Sequence, residues 1–166
     1  MTRNAQGYIN NNFINKEKIY SLNLSNQELE GEMNLEKFTN LTSINADKNK
    51  FTDLNWLSTL PNKNQLKWLS LWGNEIKSVD FSLLLSEFPN LKMLNLDNNP
   101  LSGSNLEQLD NQKFFQLVKL VEEKKVKINS WKGTFLTDLL KHTKQLKEEN
   151  DRLNQQLQAQ IQILPK

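Results

Sequence analysis

The sequence predicts an α/β repeat fold: short strands alternating with helical segments, a cap at each end and a long C-terminal helix. Three observations carry that expectation. A single apolar pattern recurs four times, as "IYSLNLSNQEL" from Ile19, "LTSINADKNKF" from Leu41, "LKWLSLWGNEI" from Leu66 and "LKMLNLDNNPL" from Leu91, at intervals of 22, 25 and 25 residues. Between the copies lie helix-compatible stretches that end at Pro61 and Pro89. Beyond Phe135 the chain has no aromatic residue and is rich in Gln, Lys and Glu, as in a solvated helix.

Length and charge narrow the function classes. The chain has 166 residues, enough for one modest domain and an appendage. Hydrophobic residues make up 37% and the mean hydropathy is −0.67, below the usual globular level, so part of the chain is expected to stand in solvent. A net charge of +2 gives no electrostatic footprint for nucleic acid. The absence of cysteine excludes disulfides and cysteine zinc sites. No apolar run reaches membrane-spanning length, and the N-terminal stretch lacks the apolar core of a signal peptide. These features predict a cytoplasmic protein, a nuclear location not being excluded, with no membrane or nucleic-acid partner.

Each copy reads L-x-x-L-x-L-x-x-N-x-L. Apolar residues at the fourth and sixth places alternate as in a strand; in the last copy the apolar places are Leu91, Leu94, Leu96 and Leu101. The ninth place holds Asn49, Asn74 and Asn99, with Gln27 in the first copy. A buried amide there can satisfy backbone groups where the strand turns away. Asp53 and Asp80 are suited to cap the helical stretches at 51–62 and 78–90. Their apolar residues, Trp56, Leu57 and Leu60, then Leu84, Leu85 and Phe88, read as core.

Over residues 19–103 this pattern resembles the intracellular leucine-rich-repeat family. The resemblance implies a short solenoid with a curved parallel sheet and a helical convex side. It further implies that the third, fifth, seventh and eighth places of each copy face the concave surface. In the third column that surface would show Ser21, Ser43, Trp68 and Met93, and in the fifth Asn23, Asn45, Ser70 and Asn95. The seventh adds Ser25, Asp47, Trp72 and Asp97, the eighth Asn26, Lys48, Gly73 and Asn98. Trp68 and Met93 should lie about 5 Å apart on neighbouring strands. An apolar centre of Trp68, Trp72 and Met93 with Ser70, Asn45, Asp47, Asn95 and Asp97 around it has the make-up of a protein-binding hot spot.

A repeat array needs its ends covered. Residues 1–18, with Tyr8, Ile9, Phe13 and Ile14, are expected to form an N-terminal helical cap, and residues 104–134 a C-terminal cap of one helix plus a short strand within Val126–Trp131. The helix would start at Ser104 and bury Leu106, Leu109, Phe114, Leu117, Val118 and Val121. Residues 135–166 resemble a leucine zipper. With Leu136 at heptad position a, the a series is Leu136, Thr143, Asn150, Leu157 and Leu164, and the d series Leu139, Leu146, Leu153 and Gln160. A lone Asn at a favours a parallel two-stranded coiled coil, so residues 136–164 are candidates for homodimerisation, chiefly Leu139, Leu146, Asn150, Leu153 and Leu157. No basic block precedes them, which argues against a DNA-binding zipper.

No catalytic constellation emerges. His142 is the only histidine, without a cysteine or second histidine to partner it, and the five glycines do not assemble a phosphate loop. The sequence therefore predicts no enzyme, metal or cofactor. It predicts a signalling adaptor that binds a protein partner on the concave face. The alternative is a structural scaffold, or a regulatory subunit of a signalling enzyme, in which the helical tail makes the main contact.

Overall fold

The computed structural model describes residues 1–101, 118–119, 121–123, 125–129 and 136–163, and within the last helix the side chains of 143–159. The chain begins with β1 (Arg3–Asn4), which runs directly into α1 (Ala5–Asn12). Asn4 caps that helix, its Oδ1 accepting the Gly7 N–H at 2.8 Å. Ala5 and Ile9, one turn apart, are buried, while Tyr8 and Phe13 pack against the core edge. Ile14, expected beside them, is 83% exposed: the helix stops at Phe13 and the chain turns through Asn15 at a φ of 54°.

Next come β2 (Ser21–Asn23), β3 (Leu29–Glu30) and β4 (Ser43–Asn45). β3 pairs in parallel with β1 and forms a small sheet with it. Further on, β5 (Trp68–Ser70), α2 (Phe81–Glu87), β6 (Met93–Asn95) and β7 (Lys127–Asn129) follow. The main sheet has the order β2-β4-β5-β6-β7, with every pair parallel. Its register places Leu22, Ile44, Leu69, Leu94 and Ile128 side by side, and all are fully buried. Each copy of the repeat thus supplies one strand, with its fourth position pointing into the core. β7 is a fifth rung, contributed from the stretch expected to be extended.

Parallel neighbours require a crossover, and these connections carry the other half of the core. Leu35 and Phe38 follow β3, Phe51, Trp56 and Leu57 follow β4, and Phe81, Leu84, Leu85 and Phe88 follow β5, all in one buried cluster. The third connection forms α2, with Asp80 Oδ1 accepting the Leu83 N–H at 3.0 Å as the N-cap. The second, expected as a helix of α type, is instead a 3-10 turn over Asn55–Thr59 with no side-chain cap. The Thr59 hydroxyl donates to the Trp56 carbonyl (2.7 Å) and accepts the Leu35 N–H (2.9 Å). Such bonds compete with a helical ladder, and Pro61 disfavours the next turn. Asp53 accepts the Asn55 N–H at 2.9 Å and so closes a turn before the segment.

The ninth-position asparagines stitch each rung to the one before it. Asn74 donates to the carbonyls of Ala46 (2.9 Å) and Leu71 (3.0 Å) and accepts the Phe51 N–H (3.1 Å). Asn99 does the same toward Leu71, Leu96 and Ile76, and Asn49 toward Leu24, Ala46, Gln27 and Leu29. The first copy has no earlier rung to reach, which is why Gln27 suffices there; its carboxamide bonds to the Ser25 carbonyl and Arg3 instead.

Residues 118–119 and 121–123 are helical, with Val118 and Val121 buried. Ser104, Leu106, Leu109, Phe114 and Leu117, expected in the same cap, lie outside the described residues. The chain ends in α3 (Leu136–Ile163), which contacts β7 and is tied to the cap by Lys144–Glu122 at 3.6 Å. Leu146, Leu153 and Leu157 stand exposed on it. A Glu149–Arg152 pair at 2.6 Å, one turn apart, lies on its surface; the hydrogen bond first and the charge second raise the guanidinium's pKa. Among the described residues no helix is long and apolar enough to cross a membrane.

Candidate functional site

Strand alternation turns residues on either side of each buried fourth position to the opposite face of the sheet. Register aligns Ser21, Ser43, Trp68, Met93 and Lys127 in one row and Asn23, Asn45, Ser70, Asn95 and Asn129 in the next. Trp68 sits at the middle of the first row and is 48% exposed. Ser43 and Met93 flank it, both partly covered, and Lys127 beyond Met93 is exposed. The face therefore carries an apolar centre on β5 and β6 and a cation on β7.

Trp72 has a different setting. It is half-buried, and Lys48 Nζ stands over its ring at 5.0 Å, a cation–π contact. Lys48 occupies the eighth place of its repeat, where Asn26, Gly73 and Asn98 also have positive φ, from 55° to 67°, against 52° for Lys48 itself. That place is a left-handed turn in every copy, favoured by Asn and Gly. The turn lifts the Lys48 side chain across to the next rung's tryptophan.

Of the acidic and hydroxyl residues expected around the tryptophans, Ser70 and Asp97 are buried and Asp47 is partly covered. Asp47 Oδ1 accepts the Ser70 hydroxyl at 2.6 Å and the Trp72 N–H at 2.8 Å. Ser70 is 3% exposed and Asp97 6%. Asp47 and Ser70 thereby brace adjacent rungs, because a short polar group next to a parallel strand reaches that strand's free donors before it reaches solvent. Among the described residues no partner meets the buried Asp97 Oδ1. Asn45 and Asn95 are partly exposed and accept the N–H of Asp47 (3.0 Å) and Asp97 (3.1 Å) through Oδ1.

From the sequence, Lys48 falls on this face without a role at the tryptophans, and Lys127 is not placed there at all. The signal for Lys127 is present: "KIN" at 127–129 matches "SLN" at 21–23, "SIN" at 43–45 and "MLN" at 93–95. The signal for Lys48 is its place in a column otherwise filled by Asn and Gly.

A cavity of about 380 Å³ lies between the second and third connections, lined by Leu54, Ser58, Val79, Leu83, the turn-closing Asp53 and the helix-capping Asp80. On α3, Leu146, Leu153, Leu157 and Asn150 are exposed, whereas the side chain of Leu139 lies outside the described part. No cluster of metal-binding side chains occurs among the described residues.

Comparison with known proteins bears on the middle of the sheet. A family model described as Leucine Rich repeats (2 copies) matches residues 64–111, the stretch that holds β5, α2 and β6. No curated protein matches the chain. Outside the matched stretch, β2 and β4 share the register, the asparagine bridges and the left-handed turn of β5 and β6. The matched family is typically a non-catalytic module of protein–protein interaction, and residues 64–111 contain Trp68, Trp72 and Met93.

Proposed function

We propose that the exposed face of the sheet is the concave recognition surface of a short solenoid, binding a protein partner around Trp68 and Met93. One observation carries this reading. A tryptophan stands about half exposed in the middle of a sheet whose opposite face is already closed by Leu22, Ile44, Leu69, Leu94 and Ile128. The ring adds little to the core, and large aromatic area at the centre of an exposed patch is where binding energy concentrates. Trp72, pinned by Lys48, forms the edge of the patch.

The second part of the proposal concerns α3. Leu146, Leu153 and Leu157 fall seven and four residues apart on an otherwise polar helix surface, so they share one stripe. A second copy of the chain would cover that stripe as a parallel coiled coil, with Asn150 setting the register. The exposed stripe equally favours the reading in which the tail holds a different protein and the array acts as a scaffold.

Affinity capture with three baits separates these readings: the unaltered chain, Trp68→Ala, and Leu146→Lys with Leu153→Lys. Loss of bound protein from the Trp68→Ala bait alone is the expected result. Loss confined to the helix variant would transfer the main contact to α3.

A further inference from the structure

The sheet face offers solvent a row of asparagine amide donors. Asn23 Oδ1 accepts both the N–H (3.0 Å) and the hydroxyl (2.8 Å) of Ser25, and Asn45 and Asn95 accept the N–H of Asp47 and Asp97 in the same way. A backbone N–H can only donate, so the carboxamide atom that meets it is the oxygen. The Nδ2 amino groups of all three residues consequently point away from their turns. Among the described residues no acceptor meets them. They stand in register on the first, second and fourth rungs, with strand spacings of about 4.8 Å. The gap at the third rung is Ser70, beside which Trp68 projects.

The carboxylates of the face are partly drawn into the fold. Asp47 Oδ1 is taken by Ser70 and Trp72, and Asp97 is withdrawn from solvent. Lys127 and Lys48, by contrast, are exposed. Of the two carboxylates that would make this face acidic on paper, Asp97 is withdrawn and Asp47 is partly covered, against the two exposed lysines.

We propose that the face takes an acidic, extended peptide segment with an apolar anchor. The anchor lies on Trp68 and Met93, and carboxylate and carbonyl oxygens accept from Asn23, Asn45, Asn95 and Lys127. The proposal rests on the recognition-face reading above and specifies the partner's chemistry. Unpaired amide donors gain most from a charged acceptor. A nucleic acid would call for a stripe of cations, whereas this face has amides and few lysines.

The test is fluorescence anisotropy of labelled peptide pools against the full chain. One pool combines Asp and Glu with Leu and Phe, a second replaces the acids by Gln and Ser, and a third by Lys and Arg. A single-stranded oligonucleotide serves as a fourth probe. The decisive variants are Asn45→Asp and the combined Asn23→Asp, Asn45→Asp, Asn95→Asp. Each new carboxylate keeps the oxygen that accepts the turn's N–H and exchanges only the outward donor for an anion. The acidic pool is expected to bind at least tenfold more tightly than the others, and to weaken about tenfold for each asparagine changed, while the circular dichroism spectrum stays the same. Failure of the acidic pool to bind, equal binding by the other probes, or indifference to Asn45→Asp overturns the proposal. If the neutral or basic pool binds and depends on Trp68, the recognition face stands and only its acidic preference falls. If no pool depends on Trp68, both fall.

Discussion

Asn49, Asn74 and Asn99 each serve two successive rungs with one carboxamide. Asn74 alone occupies the carbonyls of Ala46 and Leu71 and the N–H of Phe51, in a setting where it is 5% exposed. Replacing it by Leu strands those buried groups, each at about 1–3 kcal/mol. Asn74→Leu is accordingly expected to lose roughly 3–5 kcal/mol in urea unfolding, whereas Gln27→Ala, at the same place in the first rung, should change stability by less than about 0.5 kcal/mol. Gly73→Ala makes a separate point. The added methyl group would meet only ordinary contacts, nearest Lys48 Cγ at 3.7 Å, but the φ of 67° penalises any Cβ by about 1 kcal/mol. Equilibrium unfolding should show that loss for Gly73→Ala and a smaller one for Gly73→Asn. The asparagine column was legible in the sequence. Its direction was not, because the pattern does not say which neighbour's backbone a carboxamide reaches. For the same reason Asp47 and Ser70 read as displayed residues although their polar atoms serve adjacent rungs, and Asp97 although it is buried.

At the scale of elements, the two longer connections show how a few polar residues choose a helix type. "FSLLLSE" over Phe81–Glu87 has leucines in succession behind a capping Asp80 and forms α2. "NWLST" over Asn55–Thr59 places Thr59 where its hydroxyl binds the Trp56 carbonyl, and a 3-10 turn results. Asp80→Ala should cost about 1 kcal/mol through the lost cap, measurable as a lower unfolding midpoint. The strand positions were readable because they repeat; the helix type was not, since Thr59 also answers to the Leu35 N–H on the preceding connection. For α3, the heptad pattern makes a prediction about association. Sedimentation equilibrium should find the chain dimeric, Leu146→Lys with Leu153→Lys monomeric, and Asn150→Leu shifted toward mixed or higher oligomers. A monomer in the unaltered chain would leave α3 a solvated helix held by Lys144–Glu122.

Across the whole molecule, one alternation organises fold and function together. Trp68 and Leu69 are adjacent in sequence and lie on opposite faces of β5, one 48% exposed and the other fully buried. The buried row joins the connections into a single core; the exposed row is the surface proposed for recognition. Sequence periodicity reached this division, since period two on a repeated strand assigns faces. It did not reach the polarity of the exposed face, which depends on hydrogen bonds between rungs. Urea unfolding of Trp68→Ala beside Leu69→Ala tests the division most directly. Leu69→Ala should lose about 2–5 kcal/mol, as for a leucine emptied from a packed core, and Trp68→Ala less than about 1 kcal/mol. A loss from Trp68→Ala as large as that from Leu69→Ala would place the ring in the core and contradict the account.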